Sequence, residues 1–323
     1  MVTGMSRSVF TRALLHPRYW LLWLGLGVLW LFVRLPYPLL LASGRLLGMG
    51  MYHLMAERRR IGEINLALCF PDWSDARRTA LLRENFQSNG IALFEMAMAW
   101  WWPKPRLAKL AYIEGLEHLQ AAAAAGKGVV LMSMHFTTLE IGASLLGQKV
   151  TIDGMYREHA NPVFDFVQRR GRERHNADAK AIEREDVRSM FKSLRSGRAT
   201  WYAPDQDYGR KASVFVPLFG VPAATVTATS TFARLGKALV IPFTQTRLPG
   251  AKGYQLTVHA PLENFPGADE AADALRINQW IEQAILAQPE QYMWVHRRFK
   301  TRPEGEQRPY AKRRRRQRRR SRS

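Results

Sequence analysis

Two residues able to share acid–base work stand five apart in "GVVLMSMHFTTLEIGASLLG", which begins at Gly128: His135 and Glu140. In a continuous helix, residues five apart lie about 140° from each other, on nearly opposite faces. Joint action therefore requires the chain to turn between them. The apolar run ahead of His135 reads as a strand. "TTLE" carries the capping-box pattern, with Thr137 as N-cap and Glu140 at the third helical position. On this reading His135 stands on the turn at a strand's C-terminal end, where open α/β sheets place their sites. Glu140 then orients the imidazole and stabilises its charged form, while His135 removes a proton from a hydroxyl. The plainer alternative is that Glu140 only satisfies a backbone N–H of its own helix.

Other chemistries fit the residues poorly. The H-E-x-x-H spacing of a zinc protease is absent, and a lone cysteine, Cys69, allows neither an internal disulfide nor a cysteine-based zinc site. No metal or cofactor is expected. No serine sits in a G-x-S-x-G elbow. Ser133, two residues before His135 and so on the same strand face, is a weaker nucleophile candidate. Arg172, within "QRRGRER", offers a planar fork for a phosphate or a developing oxyanion, or else belongs to a solvated helix face. Asp205 follows Pro204 at a strand end, where its plain role is a turn. Arg157, in "YRE", is a second candidate for the anionic site.

The elements that must position these residues alternate along the chain. Apolar runs at "GVVLMSM", "TIDGMY", "ATWYAP", "ALVIPFTQT" and "GYQLTVHAP" read as strands. Between and after them, "NPVFDFVQRRGRER", "EDVRSMFKSLRSG", "TVTATSTFARLG" and "DEAADALRINQWIEQAILAQPE" read as helices. This predicts an α/β domain with a mixed, partly parallel sheet flanked by helices. A helical lead-in over 46–110 precedes an α/β core over 111–311. Its longest helix begins after Ser74 as N-cap and ends at Pro103. The adjacent Trp100, Trp101 and Trp102 point in different directions, which suits either a membrane-interface belt or packing against the body.

Upstream, Tyr19 to Val33 is an apolar run, about 22 Å long as a helix against a hydrocarbon core of roughly 30 Å. Arg18 and Arg34 can snorkel to extend it. Residues 1–45 therefore read as a short spanning or interfacial anchor, and the interruption from Arg34 to Pro38 argues against a cleaved signal peptide. The net charge is +21, of which "KRRRRQRRRSRS" at 312–323 supplies nine, leaving +12 on the body. That tail is disordered by composition. The body should attract anions, and a membrane-tethered nucleic-acid binder is the non-enzyme alternative. Nucleic acid is not the expected partner, because the body lacks interleaved basic and aromatic residues and carries an anchor and a buried sheet instead.

Five blocks carry a specific resemblance: "RRRIGEINLALCFPDWS", "HFTTLE", "YREHANPVFDFVQRRGR", "WYAPDQDYGRKASVFVPLF" and "PEQYMWVHRRFKTRPEG". In this order, from His16 to Arg302, the chain closely resembles the lysophospholipid-type acyltransferase superfamily, whose signature is His followed five residues later by Asp or Glu. Within it, the chain is similar to the late acyltransferases of lipid A biosynthesis, the lauroyl/palmitoleoyl branch. The resemblance implies a glycerol-3-phosphate acyltransferase-like fold. It implies transfer of a laurate-type acyl chain, carried on the phosphopantetheine of acyl carrier protein, to the 3-hydroxyl of an acyl chain on a Kdo-lipid A precursor. His135, Glu140, Arg172 and Asp205 fall on the family's essential positions. An acidic carrier protein and a bisphosphorylated, anionic glycolipid become the expected partners, at the cytoplasmic face of an inner membrane. A glycerolipid acyltransferase using the same His–Glu chemistry is the rival enzyme.

Overall fold

The computed structural model describes residues 10–156, 158–176, 178–183 and 186–311. Helices come first: α1 (Trp20–Phe32), α2 (Tyr37–Leu54), α3 (Ala56–Cys69), α4 (Asp75–Trp101) and a short α5 (Lys104–Ala108). The α/β region then runs β1 (Ala111–Glu114), α6 (Leu116–Ala124), β2 (Val129–Met132), α7 (Leu139–Gly147), β3 (Ile152–Tyr156), α8 (Pro162–Glu173), β4 (Ala181–Glu183), α9 (Val187–Arg195) and β5 (Ala199–Tyr202). A hairpin of β6 (Ser213–Leu218) and β7 (Val221–Val226) leads to α10 (Ala228–Gly236), β8 (Leu239–Arg247), β9 (Tyr254–Val258) and α11 (Glu270–Ala287).

Seven strands form one sheet in the order β1-β9-β8-β2-β5-β3-β4. All neighbours are parallel except β8 and β9, so the mixed, mostly parallel α/β architecture expected from the sequence is present. Strand β2 is central and wholly buried, as its unbroken Val-Val-Leu-Met run requires of a strand covered on both faces. Its side chains alternate between two cores. Val130 and Met132 join Phe86, Met190 and Ile281, whereas Val129 and Leu131 join Trp100, Ile141 and Phe243.

Helix α4 begins where the sequence places it, with the Ser74 hydroxyl accepting from the Arg77 N–H at 3.2 Å. It crosses α2 at very short range. A Cβ on Gly48 would stand 2.1 Å from the Phe86 carbonyl oxygen, and one on Gly90 would stand 2.2 Å from that of Gly44. Only residues without a side chain permit this backbone contact.

One expectation needs correction, and one open alternative is decided. Helix α7 starts later than the capping box requires: Thr138, not Thr137, is its N-cap and makes no side-chain cap, and the Thr137 hydroxyl bonds Ser88 instead. Trp100 and Trp102 are buried in the body, so these two form no membrane belt. The Trp102 indole donates to the Val33 carbonyl at 2.6 Å, and Leu14, Tyr19 and Leu26 pack on Val163 of α8. The N-terminal helices are therefore docked on the α/β body. Among the described residues no helix is long and apolar enough to cross a membrane. Arg157 and the tail at 312–323 lie outside the described residues.

Candidate active site

The parallel register of β2 and β5 builds the first half of the site. Met132 is paired with Tyr202, and His135 and Asp205 each follow three residues later, so adjacent strand ends deliver them together. The Asp205 carboxylate grips the histidine twice: Oδ2 accepts from the His135 backbone N–H at 2.9 Å, and Oδ1 lies 2.6 Å from Nδ1. Burial alone opposes charging the imidazole, but the Asp205 charge and hydrogen bond outweigh it, and His135 titrates above the ordinary histidine value. Burial likewise pushes the Asp205 carboxyl up, and His135 draws it below the usual carboxylate range. With Nδ1–H committed to Asp205, Nε2 is left as the ring nitrogen for a substrate proton.

Glu140 has different partners. Its Oε1 accepts from Arg172 Nε at 2.8 Å and from the Trp100 indole at 2.9 Å, while Oε2 accepts from Arg172 Nη2 at 2.6 Å. Burial raises the Glu140 carboxyl and Arg172 lowers it, for a net shift below the usual range. Arg172 sits in the last turn of α8, a favourable place for a cation. Gly171 explains the "RRGR" spacing: a Cβ there would stand 2.4 Å from the Trp100 ring, so only glycine lets α8 lie against that indole. The structure thus divides the four predicted residues into two pairs. The orienting contact that the sequence assigned to Glu140 is made by Asp205, seventy positions from His135.

A cavity of about 170 Å³ lies beside the Glu140–Arg172 pair. Glu140 and Arg172 line it with Leu131, Leu146, Ile152, Gly154 and Phe243. Trp201 also lines it and stands edge-on to the His135 ring, with centroids 6.1 Å apart. Trp201 is thus the side chain shared by the cavity wall and the surroundings of the imidazole.

The turn carrying His135 is fixed from several sides. The Met293 N–H donates to the His135 carbonyl, and Thr137 N–H donates to the Gln291 carbonyl at 2.7 Å. The Thr137 hydroxyl meets Ser88, which accepts from Arg247, itself locked on buried Glu95 at 2.6 and 2.7 Å. Ser133 is buried and donates to Gln245, so it is spoken for as a structural hydroxyl. Sequence reasoning missed Trp100, Trp201, Glu95 and Arg247. Only Trp201 carried a signal, as part of "WYAPDQDYG".

Comparison with known proteins fits this geometry. The family described as bacterial lipid A biosynthesis acyltransferase matches residues 7–301. The chain is 46% identical over 297 residues to the lipid A biosynthesis lauroyltransferase of Escherichia coli, covering 92% of this chain and 96% of that one. It is 44% identical over 298 residues to the palmitoleoyltransferase of the same organism, with the same coverage, and 32% identical over 311 residues to its myristoyltransferase, covering 93% of each.

Proposed function

The chain belongs to the bacterial lipid A biosynthesis acyltransferases, and from that premise we propose how its two residue pairs divide the work. It is an acyl-transferring enzyme of lipid A synthesis, of the lauroyl/palmitoleoyl kind. The acyl donor is a thioester on the phosphopantetheine of acyl carrier protein, and the acceptor is the 3-hydroxyl of an acyl chain on a Kdo-lipid A precursor. His135 Nε2 takes the proton of that hydroxyl as its oxygen attacks the thioester carbonyl. Collapse of the tetrahedral intermediate forms the ester and expels the carrier thiolate, which takes the proton back from His135. Asp205 holds the imidazole in the tautomer that leaves Nε2 free and stabilises the imidazolium. The acyl chain lies in the apolar cavity, and Arg172, held flat by Glu140, faces anionic charge at the reacting end.

Membrane attachment fits the N-terminal helices. Leu21, Leu24, Leu46 and Leu54 are each more than 60% exposed to water, and burying them in the interfacial layer removes that apolar surface. Helix α1, with 13 residues, reaches about 20 Å and suits an interfacial seat on the cytoplasmic face of the inner membrane. The +12 body matches an acidic carrier and an anionic lipid.

The observation that carries the reading is the 2.6 Å His135–Asp205 contact, with Trp201 between the imidazole and the apolar cavity. It is tested by offering wild type and His135→Ala carrier-bound acyl chains of graded length and weighing the lipid product by mass spectrometry. Wild type adds one acyl chain to the Kdo-lipid A precursor, and the variant loses at least about 10²-fold in rate. Full turnover by the variant overturns the mechanism, and acceptance of a lysophospholipid in place of the precursor overturns the acceptor.

A further inference from the structure

A second concavity opens where the start of α3 meets the segment after Trp294. It is a basin of about 400 Å³ lined by Glu57, Arg58, Ile61, His296, Arg297 and Lys300. Three fixed cations face one carboxylate, and that carboxylate is taken by Arg297 at 2.6 Å. Arg58 leans on the Val295 carbonyl at 3.2 Å, which keeps its guanidinium over the basin. The remaining +2 is uncompensated within the lining.

The floor is rigid. Asn65, buried in α3, donates to the carbonyls of Trp294 and His296 at 2.6 and 2.7 Å. The same segment is tied to the catalytic turn, because the Met293 N–H donates to the His135 carbonyl. The basin is thus fixed relative to the imidazole.

His296 reports the field in the basin. Its Nε2 is buried and has no hydrogen-bond partner among the described residues. Burial, with His135, Lys300 and Arg298 adding to it against the pull of Asp205, brings the ring down to about 4. An uncharged imidazole beside permanent cations marks a positive field that an incoming dianion would offset.

We propose that this basin binds a phosphate monoester of the acceptor glycolipid and so registers its hydroxyl at His135. The basin itself is read from its own residues. The identity of the lipid rests on the acyltransferase reading above. Phosphate suits the site because a monoester carries close to two negative charges at neutral pH, and a guanidinium fork with an ammonium satisfies its oxygens.

The experiment uses the full chain in detergent with two readouts. Inorganic phosphate is titrated while the His296 ring is followed by NMR, its resonance assigned by its loss in His296→Gln. Acylation is then measured for wild type, for Arg58→Ala/Lys300→Ala and for Arg188→Ala, an exposed cation on α9 that serves as control. Phosphate should shift the His296 ring and raise its titration in wild type, and leave it unmoved in the double variant. The double variant should raise KM for the acceptor roughly tenfold or more, with KM for the acyl donor and the control variant unchanged. Removing the acceptor's phosphates with a phosphatase should bring wild type and double variant together. The proposal fails if phosphate leaves the ring unmoved and acceptor KM is unaltered. It also fails if the penalty falls on donor KM, which would assign the basin to the carrier's phosphodiester. A wild type that binds phosphate yet does not acylate the lipid A precursor would uphold the anion site and overturn the acceptor.

Discussion

Asp205 and Glu140 are both carboxylates withdrawn from water and both face a cation, yet the cations differ in kind. Asp205 holds an imidazole, whose charge comes and goes near neutral pH. Glu140 holds a guanidinium, whose charge is permanent. The first pair can store a proton during a reaction, and the second can only present a fixed charge in a fixed plane. A third pair, Glu95 with Arg247, repeats the bidentate geometry of the second but is wholly buried and shares its oxygens with Tyr254. Its bonds run through Ser88 to Thr137, so its effect on the site is to hold the turn. Exposure sorts these roles: the Arg247 side chain is 8% exposed, that of Arg172 42% and that of His135 20%.

The largest expected effect comes from weakening the titrating pair. Asp205→Asn keeps the shape and an acceptor for the His135 N–H but removes the charge, and it should lower kcat by about 10²–10⁴-fold. On the proposed mechanism catalysis needs neutral His135, so wild-type activity should fall as pH drops through a value raised above the ordinary 6.5. In Asp205→Asn that acidic limb should move to lower pH, because the charge holding the proton on the ring is gone. The stability sign is opposite for the histidine. Its raised value adds stability present below 6.5 and lost as pH rises through the folded value. A pH–rate profile and a pH series of denaturant midpoints measure the two. A limb that stays in place would show that Asp205 is not the group setting the imidazole's charge.

The fixed pair should respond more mildly and without a pH signature. Arg172→Lys keeps the charge but loses the fork that meets both Glu140 oxygens, and a loss of about tenfold or somewhat more in kcat/KM is expected, from the lower end of the roughly 1.5–3 kcal/mol of a hydrogen bond to a charged group. The acidic limb should remain where wild type has it. If it moved as in Asp205→Asn, the two pairs would titrate as one unit and the division between them would collapse.

Much of this site was legible in the sequence, and the part that was not has a physical reason. An unbroken apolar run ending in "MHF" marks a buried strand with a histidine at its end, and β2 is such a strand. The alternation of runs gave the α/β class. The partner of His135 was not legible, because Asp205 is brought to it by the parallel register of β2 and β5, a contact across seventy positions. Nearness in sequence favoured Glu140 instead. The capping box pointed the same way and failed because Ser88, on α4, offers the Thr137 hydroxyl a better partner than its own helix. Packing of Trp100 against the body was one of two readings of the tryptophan run, but its bond to Glu140 was not legible, since the indole lies there only through the contact that Gly171 permits. Short strands such as β1 and β4, of four and three residues, lack room for a periodic pattern.

The smallest expected change is in selectivity, and it tests whether the Glu140–Arg172 pair truly borders the acyl chain. Gly154 lines the same cavity, and a Cβ built on it meets no atom within 4 Å. It lies in β3 without a left-handed φ, so a side chain there needs no backbone change. Gly154→Met should therefore fill cavity volume at little cost in stability. Each methylene denied burial forfeits about 0.8 kcal/mol, close to fourfold in relative kcat/KM. Carrier-bound chains offered in competition should shift toward shorter products by one or two carbon pairs. The acidic limb should stay with wild type, since His135 and Asp205 are untouched. An unchanged product distribution would separate the cavity from the acyl chain. Arg172 would then face some other part of the substrates, while the His135–Asp205 pair kept its role.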